Sequence, residues 1–390
     1  MRMGHVFLVG LAATGAFVAG CGSGSAPVSP PGDGLYYHGV YPGGLTGEED
    51  DITPADVDAY ESLAGQPVAW VYFSHNWYHG RAFPLTTATW IRARGAVPFI
   101  RLMPRSSPDR GVADPAFRLQ AILQGDFDAD LRGWASAAAA FGTRLLVEFG
   151  TECNGEWFPW NGRWHGGGET AGFGDPTKPD GPERFAGAYR HIVELMRAQG
   201  AHNITWVFHV NSDDVPDEAW NRLENYYPGD DVVDWTGVSC YGAQTPLETW
   251  EPESFRAQMD RTYPRLKAIA PSKPVIALEI GCTAGNPRVN AGEWAQAALD
   301  DLLAGRWEDV SGFSWWNERW ENDGDPAHDT TMRLRDLPAL AAVFRNTLSA
   351  AAGRLRTLPY GSSGTPHSAV VRTPPELSVR TCACCGCSRP

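Results

Sequence analysis

Basic charge is in short supply in this 390-residue chain: 32 Lys and Arg stand against 46 Asp and Glu, a formal net charge of −14. An acidic protein repels a polyanion, so nucleic acid is not the expected partner and a neutral ligand is favoured. Cysteine is scarce in the body of the chain, limited to Cys153, Cys240 and Cys282. An odd count without regular spacing permits at most one internal bridge and excludes a disulfide framework, which leaves packing thiols as the expectation. Beyond the N-terminal segment no stretch is apolar enough to cross a membrane as a helix. A Gly-x-Gly-x-x-Gly turn after the first β-like run is also missing, which counts against a doubly wound nucleotide-binding sheet. What is present is globular: 43% hydrophobic and 20% charged residues, with 43 Gly, 30 Pro and 16 Trp, a composition that excludes wholesale disorder.

The N-terminal segment has the grammar of an export signal. Arg2 supplies a positive start, Val6 to Val18 is apolar, and Val18-Ala19-Gly20-Cys21 closes it. The run is too short to span a bilayer but long enough for a cleavable signal. Cysteine directly after Ala-Gly resembles a bacterial lipoprotein signal, which implies cleavage of residues 1–20 and lipidation of Cys21. The expected location is outside the cytoplasm, anchored to the cell membrane or outer membrane through that lipid alone. Residues 21–34, rich in Gly, Ser and Pro, read as a flexible tether. At the other end, residues 352–390 lack apolar periodicity and crowd Cys382, Cys384, Cys385 and Cys387 together; they read as a disordered tail.

Between them, residues 35–351 alternate short β-like runs with amphipathic stretches. The runs are Tyr36–Tyr41, Val68–Phe73, Val97–Leu102, Arg144–Phe149, Ile204–His209, Trp235–Ser239, Pro274–Ile280 and Gly312–Trp316. Helical stretches follow each: Pro54–Ala64, Thr86–Arg94, Asp128–Ala140, Pro182–Gln199, Pro216–Asn225, Pro252–Ile269, Ala291–Ala304 and Arg333–Ala350. Thr53-Pro54 and Gly181-Pro182 place proline early in a helix, where its missing N–H costs nothing. This order predicts a single-domain (β/α)8 barrel.

Barrels carry chemistry at the C-terminal ends of their strands. Two carboxylates stand there. Glu152 follows the fourth run in Glu152-Cys153-Asn154-Gly155-Glu156-Trp157-Phe158-Pro159-Trp160, and Glu279 closes the apolar seventh run. Burying either needs a partner or a purpose. Two carboxyls about 5–5.5 Å apart are the apparatus of a retaining glycosidase; the structural alternative makes Glu152 a solvated loop acid and pairs Glu279 with an arginine such as Arg101. Alternation turns Glu148 to the same side as Glu152, where Arg101 would have to neutralise it or it would be protonated. Trp157, Trp160, Trp164, Trp235, Trp315, Trp316 and Trp320 fall near predicted strand ends, and Trp157 and Trp316 are the better candidates for stacking on sugar faces. Asn211 and Asn317 are polar candidates, and His209 is as readily structural as ligand-binding. The run Glu48-Glu49-Asp50-Asp51 and Asp323-Gly324-Asp325 with Asp329 lack the spacing of a calcium loop and read as solvated turns. No metal and no cofactor are expected.

The Glu152 segment, with His38-Gly39-Val40-Tyr41-Pro42, Val97 to Pro104, Ile122 to Asp128, Trp206-Val207-Phe208, Tyr227 to Trp235 and Trp315-Trp316, resembles glycoside hydrolase family 26, which holds β-mannanases with some lichenases and β-1,3-xylanases. The resemblance implies a retaining (β/α)8 endo-β-glycosidase without a cofactor. Within it Glu152 is the acid/base, Glu279 the nucleophile, and Tyr241 a hydrogen-bond partner of that nucleophile. Arg101, Asn211, Trp157 and Trp316 are then candidates for binding substrate. Family members usually carry His directly before the acid/base and Arg a few residues upstream; here Thr151 and Glu148 stand in those places. The expected substrate is β-1,4-mannan, with mixed-linkage β-glucan or β-1,3-xylan as alternatives, and the expected protein is a monomer. A catalytically lapsed carbohydrate-binding lipoprotein is the competing class.

Overall fold

The computed structural model describes residues 26–44 and 49–358. Cys21, the signal segment and the cysteine cluster of the tail lie outside the described residues. Eight parallel strands close on themselves: β1 Tyr36–Tyr41, β2 Trp70–Asn76, β3 Val97–Met103, β4 Leu145–Phe149, β5 Ile204–Asn211, β6 Trp235–Tyr241, β7 Val275–Gly281 and β8 Val310–Trp316. They pair in sequence order, and β1 pairs back to β8 from Tyr37↔Gly312 to Tyr41↔Trp316. Nearly every strand residue is buried, because the barrel interior covers one face and helices the other. The fold is the expected (β/α)8 barrel.

Helices form where sequence signals ask for them. Helix α1 (Pro54–Ala64) opens with a reciprocal capping box between Thr53 and Asp56 and ends at a left-handed Gly65, so its terminal backbone groups are satisfied locally. The other outer helices are α2 (Leu85–Ala93), a short α3 (Leu119–Leu123), α4 (Asp128–Phe141), α5 (Asp180–Ala198), a short α6 (Leu223–Tyr226), α7 (Phe255–Ile269), α8 (Ala291–Leu303) and α9 (Pro338–Ala350). The expected helix Pro216–Asn225 is replaced by a 3-10 turn, Ala219–Asn221, and the single turn of α6. That segment spends its polar groups elsewhere: Asn221 donates to the carbonyls of Asn154 and Pro216, and Asp214 accepts from the Leu223 N–H.

The bottom of the barrel is filled by aromatic rings. Trp70 lies across Gly39, where an added Cβ would stand 2.0 Å from its indole nitrogen, so only glycine admits the ring there. Two expectations about the ends of the domain are corrected. Residues of the supposed tether pack beneath the barrel: the Val28 N–H donates to Thr205 Oγ1 at 2.6 Å, Trp235 Nε1 donates to the Val28 carbonyl at 3.1 Å, and Tyr37 stacks on Trp235. Residues of the supposed tail form β11 (Leu355–Arg356), which pairs with Tyr36 and Tyr37 of β1, and Leu358 is buried. Both segments cover apolar surface that the closed end of the barrel would otherwise expose to water. Two further short strands, β9 (Arg319–Trp320) and β10 (Thr330–Thr331), form a hairpin above β8.

Strand β7 carries an irregularity with consequences for the site. Ile276 pairs with Gly237 and Ala277 with Val238, but Ser239 pairs with Glu279, skipping Leu278. Leu278 faces inward, since a Cβ on Gly237 would meet its Cδ2 at 3.2 Å. Glu279 faces inward too, as its contacts below show. Two consecutive inward residues are the mark of a bulge, which re-aims the side chain that follows it.

Candidate active site

A cleft of about 1320 Å³ opens at the C-terminal ends of the strands, and Glu152 and Glu279 both line it. Beyond β4 the chain turns sharply, and Glu152 sits in the left-handed region with φ 48°. For a non-glycine residue that costs about 1 kcal/mol or more, and it persists because the surroundings fix it. The Gly155 N–H returns to the Glu152 carbonyl, the Cys153 N–H to that of His209, and the Asn154 side chain ties the turn to Asn211, Asp213 and Asp214. The specific sequence around Glu152 thus has a local job: it docks the loop after β4 onto the end of β5. Both oxygens of Glu152 are held, Oε2 by Trp157 Nε1 at 2.7 Å and Oε1 by Asn211 Nδ2 at 3.2 Å.

Glu279 is held from both sides of the barrel. Tyr241 donates to its Oε2 at 2.9 Å, and the Tyr72 hydroxyl lies 3.0 Å from its Oε1. Arg101 stands 3.4 Å from that same oxygen. The structural alternative and the functional one therefore describe one arrangement, because the arginine beside Glu279 is in the cleft floor. Burial pushes the Glu279 carboxyl up to about 7, with Arg101 opposing and Glu152 adding to the rise.

Glu148 is fully buried and faces inward, as alternation requires. Its compensation is wider than the expected Arg101 or a proton. His209 Nδ1 lies 2.8 Å from Oε2, Tyr72 donates to Oε1 at 2.6 Å, and Arg101 Nε is 3.4 Å away. Burial works against the charge on Glu148, but His209 and Arg101 outweigh it and hold its pKa below the ordinary value. Burial likewise works against a charged His209, and Glu148 outweighs it, raising the imidazole. His209 Nδ1 is also 2.8 Å from Thr151 Oγ1, and Nε2 is 2.8 Å from Ser239 Oγ. The unusual Glu148 and Thr151 thus converge on one histidine. Atoms of Glu148, His209 and Glu279 fall within 4.8 Å of one another, a spacing a cation can use. The Arg101 guanidinium already supplies the positive charge beside both carboxylates, and we assign them no metal.

The other sequence candidates separate. Trp157 lines the cleft and is partly exposed. Trp316 lines it as well but is 4% exposed, stacked on Tyr41 with centroids 4.0 Å apart, so it is a wall more than a platform. Trp320 borders the cleft. Trp160 is packing, Trp235 lies at the opposite end of the barrel, and Trp315 faces outward onto Phe344. Trp164 donates to the Phe158 carbonyl, and Asn317 bonds the Pro42 carbonyl and the Leu334 N–H. Cys153, Cys240 and Cys282 are free and buried.

Residues 49–51 of the acidic run after β1 are not a solvated turn, and Glu48 lies outside the described residues. Glu49 is buried, with Arg101 Nη1 at 2.7 Å and Arg110 at 3.0 Å, and Asp50 accepts from Asn76. Asp329, expected in a solvated turn, is buried against Arg319.

Among the residues whose place here escaped the sequence reading are Glu49, Glu318 and Trp250 in the cleft lining and Tyr72 behind Glu279. Glu318 accepts from Trp316 Nε1 at 2.9 Å. Burial, then Glu49, pushes its carboxyl up to about 8. Trp250 is 66% exposed at the rim. Alternation along β2 and the place of Glu318 just past β8 were the available signals.

Residues 144–253, which hold Glu148, Glu152, His209 and Tyr241, match the sequence family described as Glycosyl hydrolase family 26. Over that segment the chain is similar to family 26 glycosyl hydrolases. Endoglucanase H of Acetivibrio thermocellus is 27% identical over 261 residues, 66% of this chain and 26% of its own length. Beta-1,3-xylanase TXYA of Vibrio sp is 24% identical over 250 residues, 59% of this chain and 49% of its own. The chain thus spans between a quarter and a half of the length of these curated relatives. A Bacillus subtilis mannanase, BCman, superposes over 86% of this chain and 91% of its own with a TM-score of 0.53 and 16% identity, a likeness of fold.

Proposed function

We propose that the chain is a family 26 glycoside hydrolase that cleaves a β-linked polysaccharide internally by double displacement. The observation that carries the reading is the pair of glutamates in one cleft, each held through both oxygens by hydrogen-bonding partners. In this mechanism Glu279 attacks the anomeric carbon while Glu152 gives its proton to the leaving oxygen. Glu152, now ionised, then takes a proton from the water that releases the sugar. Tyr241 fixes the attacking carboxylate, and Trp157 and Asn211 aim the acid/base. The cleft of about 1320 Å³ is lined by Arg110, Trp157, Trp250 and Trp320 as well as by both glutamates, which favours a chain of several sugars over a single terminal one.

β-Glucan leads the candidate substrates, ahead of the β-1,4-mannan first expected. The likeness to mannanases is one of fold, the relative at 27% identity is an endoglucanase, and Thr151 and Glu148 depart from the usual family pattern. Reducing-end release from mixed-linkage β-glucan, β-mannan, xylan and laminarin tests this, with the glucan expected to be cut fastest at internal bonds. Faster cleavage of mannan would reverse the substrate order; binding without cleavage of any polymer would favour the lapsed binder.

The same reading includes export and attachment through Cys21. Among the described residues no helix is long and apolar enough to cross a membrane; in this reading the lipid on Cys21 is the anchor. Cys21→Ala is expected to move the protein from the membrane to the soluble fraction; wild-type protein found soluble in the cytoplasm would defeat it.

A further inference from the structure

We propose that Glu148 is a positioning residue that shares one proton with the nucleophile through the Tyr72 hydroxyl, accepting that proton when Glu279 ionises. The inference rests on the assignment of Glu279 as nucleophile made above.

The geometry begins with a shortage of hydrogens. Tyr72 has a single O–H, yet two carboxylate oxygens claim it: Glu148 Oε1 at 2.6 Å and Glu279 Oε1 at 3.0 Å. The shorter contact takes the hydrogen. The Tyr72 oxygen then presents a lone pair to Glu279 Oε1, and two lone pairs at 3.0 Å repel unless Glu279 carries a proton and donates it. The resting chain is therefore Glu279 O–H to Tyr72, and Tyr72 O–H to Glu148. The Tyr72 and Glu148 side chains are fully buried, so water does not reach the Tyr72 hydroxyl as an alternative partner, while Glu279 borders the cleft.

The groups around Glu279 allow this state. It faces Tyr72 from β2, Arg101 from β3, Glu148 from β4 with Glu152 beyond it, His209 from β5 and Tyr241 from β6. Arg101 commits its shortest contact to Glu49 at 2.7 Å and stays 3.4 Å from Glu279. His209 Nδ1 lies 2.8 Å from both Glu148 Oε2 and Thr151 Oγ1, and its Nε2 meets Ser239. The opposite directions of the two carboxyls, Glu279 raised and Glu148 lowered, agree with a proton resting on the nucleophile.

Ionising the nucleophile then needs no exchange with solvent. The proton of Glu279 Oε1 passes to the Tyr72 oxygen as the Tyr72 proton passes to Glu148 Oε1. Two O–H bonds break and two form, Tyr72 stays neutral, and the negative charge moves from Glu148 to Glu279. Tyr72 now donates to the attacking carboxylate, and Glu148 donates to Tyr72.

Infrared difference titration of the unliganded protein reads the shared proton directly, with Glu279→Gln identifying the band. A protonated-carboxyl band that vanishes in Glu279→Gln is expected at pH 6. In Glu148→Gln the amide donates to the Tyr72 oxygen, freeing the hydroxyl for Glu279 as the neighbouring anion is lost. The midpoint should fall by roughly half a unit or more. In Tyr72→Phe the hydroxyl is gone while Glu148 stays charged, and the midpoint should rise. The acid limb of kcat/KM on the polymer cut fastest should move in the same two directions, which a merely structural loss of activity would not produce. Absence of the band at pH 6, or midpoints unchanged in both variants, would overturn the proposal while leaving the hydrolase reading intact. The expected band shifts in a protein that cleaves no polymer would leave the shared proton standing and remove the hydrolase reading instead.

Discussion

Glu279→Ala is expected to lower polysaccharide hydrolysis by a factor on the order of 10⁴ or more, because it removes the only atom that can form the covalent intermediate in the proposed route. Binding should survive. The side chain is buried and its removal leaves Arg101, Tyr241 and Tyr72 in place around a small void, while Trp157, Trp250 and Trp320 still line the cleft. Initial rates together with affinity electrophoresis in the cleaved polymer separate the two effects. Turnover within tenfold of wild type would exclude Glu279 as nucleophile.

Glu152→Ala should behave differently. Loss of a general acid costs about 10²–10⁴-fold when the leaving group is a sugar and far less when it is an activated phenol that departs without protonation. Hydrolysis of the glycosyl intermediate also slows, since no base remains to activate water. Azide, a small anion that fits the vacated space, should restore turnover and give a glycosyl azide of retained β configuration. Equal losses on activated and unactivated substrates, without rescue, would assign Glu152 to orientation alone. Trp157 and Asn211, which bind its two oxygens, would then lose their proposed purpose as well.

Much of this site was legible before any coordinates. Glu152 stands in a loop whose aromatic and amide residues make sense only around a fixed turn, and Asn154 supplies that turn with its bonds to the β5 end. Glu279 ends an apolar strand where a carboxylate needs a reason. Tyr241 followed from likeness to a family and bonds Glu279 as that likeness implied. Tyr72 and Glu49 were hidden for a different reason. A tyrosine in an apolar strand looks like packing, and an acidic run looks like a solvated turn, until strand pairing sets Tyr72 between Glu148 and Glu279 and folds Glu49 onto Arg101.

The sequence by itself determined the eight-fold alternation of strand and helix, since apolar period and helix-start chemistry are local properties of the chain. It also determined that acids lie past the fourth strand and within the seventh. Only the tertiary structure decided which way Glu279 points. Counting inward residues up β7 from Ile276 by strict alternation places Leu278 inside and Glu279 outside, against the helices. The skipped pairing at Leu278 reverses that count, and Glu279 turns into the cleft toward Tyr72, Arg101 and Tyr241. A bulge depends on how two strands settle against each other and on the space that Gly237 leaves for Leu278, which are relations between distant segments that no local pattern records.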